Sequence, residues 1–144
     1  MKTQLQSAGF GYEELFAFEC ELRSLDCQRM PSQGEYDFLV NGHRVQCKHV
    51  TFVESSDKRF GRIRLSRGSG CSSERNYASD AFDFFAVSFR KSTHIVPVAA
   101  VGEVNGRMRR RVRVDQLTEF RERWDLLSSS GQYVRPMPLF DCMN

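Results

Sequence analysis

A β-hairpin is predicted by the stretch Glu35-Tyr-Asp-Phe-Leu-Val-Asn-Gly-His-Arg-Val-Gln-Cys-Lys-His49. Two runs rich in apolar and β-branched residues flank Asn41-Gly42, the dipeptide best suited to the positive φ angles of a two-residue type I′ turn. A turn of that length fixes the register of the two strands and places Asp37 opposite Gln46. We therefore expect the rest of the sheet to be built around this hairpin.

Polar side chains gather on one face of the predicted hairpin. Side chains alternate between the faces of a strand, so Lys48 shares a face with Gln46 and with Asp37 opposite it. The other face carries Phe38, Val45 and Cys47. A carboxylate, an amide oxygen and an ammonium group form a poor core, but they suit a hard cation and a phosphate.

These residue types match the requirements of phosphodiester hydrolysis. A metal ion polarises the phosphoryl oxygen and holds the attacking water, and a nearby cation steadies the developing charge. Magnesium takes one or two carboxylates, neutral oxygens and waters. We predict Asp37, Gln46 and the backbone carbonyl of Cys47 as metal ligands, and Lys48 as the group that positions or deprotonates the water.

A helix is predicted from about residue 10 to residue 25. Its apolar residues at helical spacing form a stripe expected to be buried, which consists of Leu15, Phe18, Leu22 and Leu25. Glu14 lies at the margin of that stripe, whereas Glu13 falls nearly opposite, so this geometry favours Glu14 as a site residue. Two interpretations of Glu14 stay open: a rim glutamate paired with an arginine, or a carboxylate that joins Asp37 around a cation.

The later part of the chain supplies core strands and a closing helix. Ala81–Phe89 and His94–Val101 are apolar runs typical of central strands. Asp115 is a candidate cap for a helix whose apolar stripe is Leu117, Phe120, Trp124 and Leu127. The order of helix, strands and helix predicts an α/β or α+β fold around one mixed sheet. We expect a single domain over 1–144 with an irregular tail from about residue 128.

Basic residues are clustered, although the formal net charge is only +3. One cluster is Lys58, Arg59, Arg62, Arg64 and Arg67, the other is Arg107, Arg109, Arg110, Arg111 and Arg113, and Arg75 lies in the loop between them. Such clusters suit a surface that follows DNA phosphates. A solvated edge strand that uses charge against aggregation is the alternative.

Composition excludes several other classes of protein. The five cysteines include no Cys-x-x-Cys pair, which argues against a zinc ribbon. The polar N-terminal residues do not form a signal peptide, and no apolar run is long enough to cross a membrane. We therefore expect a cytoplasmic protein, or one located wherever its DNA is, without a membrane partner.

The arrangement of Glu14, Asp37 and Gln46-Cys47-Lys48 resembles the PD-(D/E)XK nuclease superfamily in its Gln-x-Lys variant. The preceding Gly-x-x-Tyr-Glu-Glu and the Tyr-Asp-Phe-Leu-Val strand resemble it as well. Size and spacing are most similar to the small intron-encoded homing endonucleases of this superfamily, whose core is similar to that of Holliday-junction resolvases. The likeness covers about residues 9–49 and 77–101.

The resemblance implies a restriction-endonuclease-like mixed β-sheet flanked by helices. It also implies a homodimer or homotetramer that uses Mg²⁺, with Mn²⁺ as an expected substitute, to make double-strand breaks at specific sites in double-stranded DNA. Two departures matter: no proline precedes Asp37, and Gln46 replaces the usual acid. The missing charge is expected to weaken metal binding and leaves one- and two-metal mechanisms open. A structure-selective nuclease that cuts branched DNA and an inactive DNA-binding protein of the same fold are the alternatives.

Overall fold

The computed structural model describes residues 4–31, 36–55, 58–67, 75–78, 80–104, 107–108 and 111–128. Its helices are α1 (Gln4–Leu22), α2 (Val98–Val101) and two 3₁₀ helices, η1 (Val114–Phe120) and η2 (Trp124–Leu127). The strands are β1 (Cys27–Arg29), β2 (Phe38–Val40), β3 (His43–His49), β4 (Thr51–Ser55), β5 (Lys58–Arg64), β6 (Ser66–Arg67), β7 (Arg75–Asn76), β8 (Phe84–Phe89), β9 (Ser92–Pro97), β10 (Glu103–Val104), β11 (Arg107–Met108) and β12 (Arg111–Arg113).

The main sheet has five strands in the order β1-β2-β3-β8-β9. Strands β3 and β8 are parallel, and the other neighbours are antiparallel. The sheet is therefore mixed, and helices flank it, which confirms the predicted α+β class. The first apolar run forms the central strand β8, as predicted. The second run was predicted as a central strand, but it forms the edge strand β9 up to Pro97 and then the short helix α2. Both strands are almost wholly buried.

The predicted hairpin forms, and its register is the predicted one from Phe38 to the turn. The predicted pairing of Asp37 with Gln46 is not part of the ladder, because the Asp37 N–H donates to the carbonyl of Val45, which already faces Phe38. Phe38 pairs with Val45, and Val40 pairs with His43. Asn41 and Gly42 take positive φ angles of 48° and 86°, as the tight turn requires. Local sequence alone was sufficient here, because a two-residue loop leaves the strands no second register.

Three smaller sheets carry the basic segments. One has the order β12-β5-β4, and the others are the two-stranded pairs β10-β11 and β6-β7. The predicted basic strand from residue 109 is seen as β12, with residues 109–110 outside the described part of the chain. Helix η1 packs between β5 and β9 and so links the small sheet to the main one.

The buried side of α1 differs from the prediction. Phe16 and Cys20 are buried, whereas Leu15, Phe18 and Leu22 are 43%, 56% and 64% exposed. The predicted stripe was wrong because the helix carries apolar residues on more than one side. Aromatic partners decide between them: the Phe16 ring lies 5.1 Å from that of Phe38 and also stacks on Trp124 of η2.

The closing helix is two short 3₁₀ helices rather than one α-helix. Its predicted stripe is nevertheless buried along its length. The break lies at Glu122, which has a positive φ of 56° and whose carboxylate accepts hydrogen bonds from the Thr93 backbone and the Trp124 indole at 2.8 and 2.7 Å. Asp115 does not cap η1; it pairs with Arg113 instead.

Two further expectations concern the ends and surroundings of the chain. The predicted tail lies largely in residues 129–144, outside the described residues, and the single domain stays a prediction. No helix within the described ranges is both long enough and apolar enough to span a membrane.

Candidate active site

Asp37 is held at the start of β2 by hydrogen bonds to β3. Its carboxylate oxygen Oδ2 accepts the backbone N–H of Cys47 at 2.9 Å, and its own N–H donates to the carbonyl of Val45 at 2.9 Å. Regular strand pairing begins only at Phe38, so the Asp37 side chain extends the ladder by one step. The carboxylate is thus fixed beside the strand that carries Gln46 and Lys48.

Gln46 contributes a buried oxygen atom whose hydrogen-bonding capacity is not satisfied. Its side-chain oxygen Oε1 is shielded from solvent and has no hydrogen-bond partner among the described residues. Leaving a buried acceptor unsatisfied costs about 1–3 kcal/mol. A cation bound to this oxygen would remove that cost.

Lys48 lies on the same face as Gln46 and is half-buried. Its Nζ atom is 3.2 Å from the hydroxyl oxygen of Tyr77 and 5.0 Å from the centre of that ring. Burial lowers the pKa of the Lys48 amine to about 8, although Asp37 acts in the opposite direction. An amine with this pKa exchanges protons near neutral pH, which a surface lysine does not.

Tyr77 is a site residue that sequence reasoning missed. Its ring is buried edge-to-face against Phe82 at 5.0 Å, and its carbonyl accepts the N–H of Met108 at 3.0 Å. It follows β7, far from the hairpin in sequence. No local pattern identifies it, because only the packing of distant segments brings its hydroxyl to Lys48.

The two helix glutamates have exchanged the positions expected of them. Burial, followed by the charge of Asp37 and a side-chain interaction with it, raises the pKa of Glu13. Oε2 of Glu13 also lies 3.8 Å from Nη2 of Arg29. Glu14 is exposed, and its Oε1 lies 2.8 Å from Nη1 of Arg29. The expected orientation of Glu14 was wrong because Glu13 stands one turn before the buried Phe16. Of the two interpretations of Glu14, the glutamate paired with an arginine matches this geometry.

The donor set fits magnesium. Glu13 and Asp37 offer two carboxylates, and Gln46 offers the unpartnered amide oxygen. Magnesium is bound by one or two carboxylates and keeps several waters. No group of three His, Cys, Asp or Glu side chains in the described ranges is arranged to hold a metal, so a cage made only of such ligands is not formed there. The Cys47 carbonyl stays a predicted ligand.

Four of the predicted DNA-binding arginines form a stripe on the three-stranded sheet β12-β5-β4. Arg64 pairs with Arg111, and Arg62 pairs with Arg113, across β5 and β12. The intervening Ile63 and Val112 are buried. Four arginine side chains therefore share one face, which suits a polyanion.

The remaining predicted DNA contacts have mixed positions. Lys58 and Arg59 are exposed on β5. Only the backbone is described for Arg67, Arg75 and Arg107, and Arg109 and Arg110 lie outside the described residues. Their roles stay predictions.

Comparison with known proteins shows the fold. No family model matches the sequence, and no curated protein sequence matches it. One solved structure that matches is the bacterial homing endonuclease I-Ssp6803I, with a TM-score of 0.63 and 15% sequence identity. The match covers 86% of this chain and 93% of that one. The chain therefore shares the fold of a bacterial homing endonuclease.

Proposed function

We propose that this protein is a magnesium-dependent, sequence-specific DNA endonuclease that hydrolyses phosphodiester bonds. The single observation that carries the proposal is the buried Gln46 Oε1, which has no hydrogen-bond partner among the described residues. Gln46 precedes Cys47, whose N–H the Asp37 carboxylate accepts, and shares a strand face with Lys48. A buried acceptor without a partner destabilises the fold when no cation is bound, and it serves as a ligand when a cation is present. The shared fold of a homing endonuclease supports the same conclusion.

The metal would be held by Glu13, Asp37 and Gln46, with the Cys47 carbonyl as a further oxygen. In this assignment Glu13 takes the place first given to Glu14, because Glu13 is the glutamate in contact with Asp37. Bound there, Mg²⁺ would polarise the scissile phosphate and hold the attacking water, and Mn²⁺ is expected to substitute.

Lys48 acts on the proton of the attacking water. Its pKa of about 8 leaves part of the amine neutral at physiological pH, so it is able to accept that proton. The Tyr77 hydroxyl, 3.2 Å away, holds the amine in place. Tyr77 is therefore a positioning residue rather than a catalytic one.

The substrate is double-stranded DNA, and the arginine stripe of β5 and β12 contacts its phosphates. Sequence-specific cleavage is the first candidate, since the structural neighbour is a homing endonuclease. A homing enzyme reads base edges, whereas a junction nuclease reads shape. Competition between linear and four-way DNA separates these two activities.

Cutting both strands requires two sites, and each chain offers one. We therefore expect a homodimer or homotetramer. The exposed stripe of α1 (Leu15, Phe18 and Leu22) is an apolar surface for the second copy. Its spacing of three and four residues is that of a helix seam.

A plasmid nicking assay tests the function. The native chain should convert supercoiled plasmid to nicked and linear forms with Mg²⁺ but not with EDTA, and Lys48→Ala should leave the plasmid intact. If the native chain cleaves no DNA across varied substrates and metals while still binding it, the inactive DNA-binding alternative is correct. Sequencing the cleavage products of a randomised DNA pool then gives the preferred site.

A further inference from the structure

A basic, aromatic groove is formed by residues outside the candidate site. It has a volume of about 480 Å³ and is bounded by the β4–β5 hairpin, the β8–β9 turn and helix η1. Its lining includes three phenylalanines and three arginines that pair with them, namely Phe52, Phe60, Phe89, Arg59, Arg90 and Arg113.

Each of these arginines lies over one of the rings. The guanidinium carbon of Arg59 is 4.6 Å from the centre of the Phe52 ring, and that of Arg90 is 5.0 Å from the Phe89 ring. Arg113 lies 4.3 Å from the Phe60 ring. The groove thus presents flat apolar faces and positive charge together, and Phe52 is 46% exposed.

The charge of the lining is strongly positive. A fourth arginine, Arg121, donates from Nε to the hydroxyl of Ser92 at 2.8 Å. Among the described residues of the lining, Asp115 is the one carboxylate, and Arg113 already binds it at 2.9 Å. The lining also includes His94, which is only 4% exposed and whose Nδ1 has no hydrogen-bond partner among the described residues. These features favour an anionic, hydrogen-bonding ligand with an aromatic part.

Strand register connects this groove with Lys48. Lys48 pairs with Val87, and Val87 pairs with His94, so the three residues point to one face of the main sheet. Two strand spacings separate Lys48 from His94, a distance of about 10 Å. Val87 between them is buried, so a DNA strand held at Lys48 would reach the groove over the protein surface rather than straight across the sheet.

We propose that the groove binds an unpaired stretch of the DNA strand that flanks the cleaved bond. Arginines beside exposed aromatic rings suit single strands, whose bases have free faces for stacking. The bases of a duplex are stacked on one another and offer no such faces. This inference rests on the proposed function for its choice of DNA, and it adds where one strand of that DNA lies.

Fluorescence anisotropy tests the groove without any cleavage. The probes are a blunt duplex and the same duplex with an oligothymidine overhang, with thymidine monophosphate as competitor, in a Lys48→Ala background. The overhang should bind more tightly than the blunt duplex. Phe52→Ala should weaken overhang binding about tenfold or more and leave blunt binding unchanged, because stacking of each base contributes that much.

Matched variants make the outcome decisive. Arg59→Gln and Arg90→Gln should reproduce the loss even if Phe52→Ala folds poorly, and Gln28→Ala at an exposed position of β1 should not. Equal loss on both DNAs, or no loss with either arginine variant, overturns the proposal, as does a free nucleotide that competes while the overhang brings no gain. A native chain that cleaves DNA but lacks overhang preference refutes the groove alone. A chain that never cleaves but shows the preference refutes only the nuclease.

Discussion

The Nζ atom of Lys48 lies 3.2 Å from the hydroxyl oxygen of Tyr77, although 29 positions separate the two residues in the chain. The amine is held in a half-buried place where its pKa falls to about 8. The reactive character proposed for Lys48 thus depends on packing that the hairpin alone does not provide. Variants at both positions test this relationship.

Lys48→Met should abolish cleavage while it stabilises the protein. In the unfolded chain the lysine pKa is 10.5, and in the folded protein it is about 8. Between these values the unfolded chain binds more protons, so stability rises with pH, and the cost of the buried charge is fully present below pH 8. At pH 7 the gain should be up to about 3 kcal/mol, measured by urea unfolding. Lys91→Met, at an exposed position of the β8–β9 turn, should change neither property.

Tyr77→Phe should shift the pH dependence of cleavage to lower pH. The ammonium form of Lys48 donates to the Tyr77 hydroxyl, so removing that acceptor disfavours the charged form and lowers the amine pKa further. The rate should still rise with pH, with its midpoint below that of the native enzyme and DNA affinity unchanged. Tyr12→Phe is the matched control. A lower rate with an unmoved midpoint would mean that Tyr77 acts only through packing.

Glu13→Gln should weaken Mg²⁺ binding about tenfold, whereas Glu14→Gln should leave it nearly unchanged. Titration calorimetry and Mg²⁺-induced thermal stabilisation measure this. Without metal, Glu13→Gln should be the more stable protein at pH 7. The raised pKa of Glu13 means that its charged form costs stability, a cost relieved as pH falls. Equal effects of the two substitutions would remove Glu13 from the metal site.

Arg111→Gln should weaken DNA binding and flatten its salt dependence. Each lost phosphate contact reduces the slope of log K against log salt by about 0.9. DNA affinity measured over a range of about 50 to 200 mM salt checks this. Arg23→Gln on α1 is the control. An unchanged slope would leave Arg111 as a solvated charge on an edge strand.

Phe18→Asp should shift the protein toward monomer. The substitution puts a charge into the exposed α1 stripe, which we expect to be covered by a second copy. Sedimentation velocity over a range of concentrations measures the assembly, with Glu21→Ala as the control. If the native chain is monomeric at all concentrations, or if Phe18→Asp assembles normally, another surface or no surface joins the copies.

The hairpin was predictable because its information is local. Asn41-Gly42 sets the turn, and alternation sets the faces, so the shared face of Gln46 and Lys48 needs no distant residue. The side of α1 that is buried was not predictable in this way. Phe38 and Trp124 select Phe16, and that choice brings in Glu13.

The other differences have the same origin. The break at Glu122 depends on hydrogen bonds to Thr93 of β9. The apolar pattern of the sequence is the same for one helix as for two, so it does not predict that break. The groove likewise joins segments from three parts of the chain. Sequence patterns record each segment's own preference but not which of them meet.

The facing arginines of β5 and β12 give ionic strength two opposite effects. Like charges directly across a strand pair oppose folding of that sheet. Added salt screens their repulsion and so stabilises the protein without DNA. The same salt displaces DNA by competing at phosphates. The repulsion between Arg64 and Arg111 therefore destabilises the small sheet in dilute buffer, and bound DNA phosphates neutralise it. Cleavage should be fastest at an intermediate salt concentration.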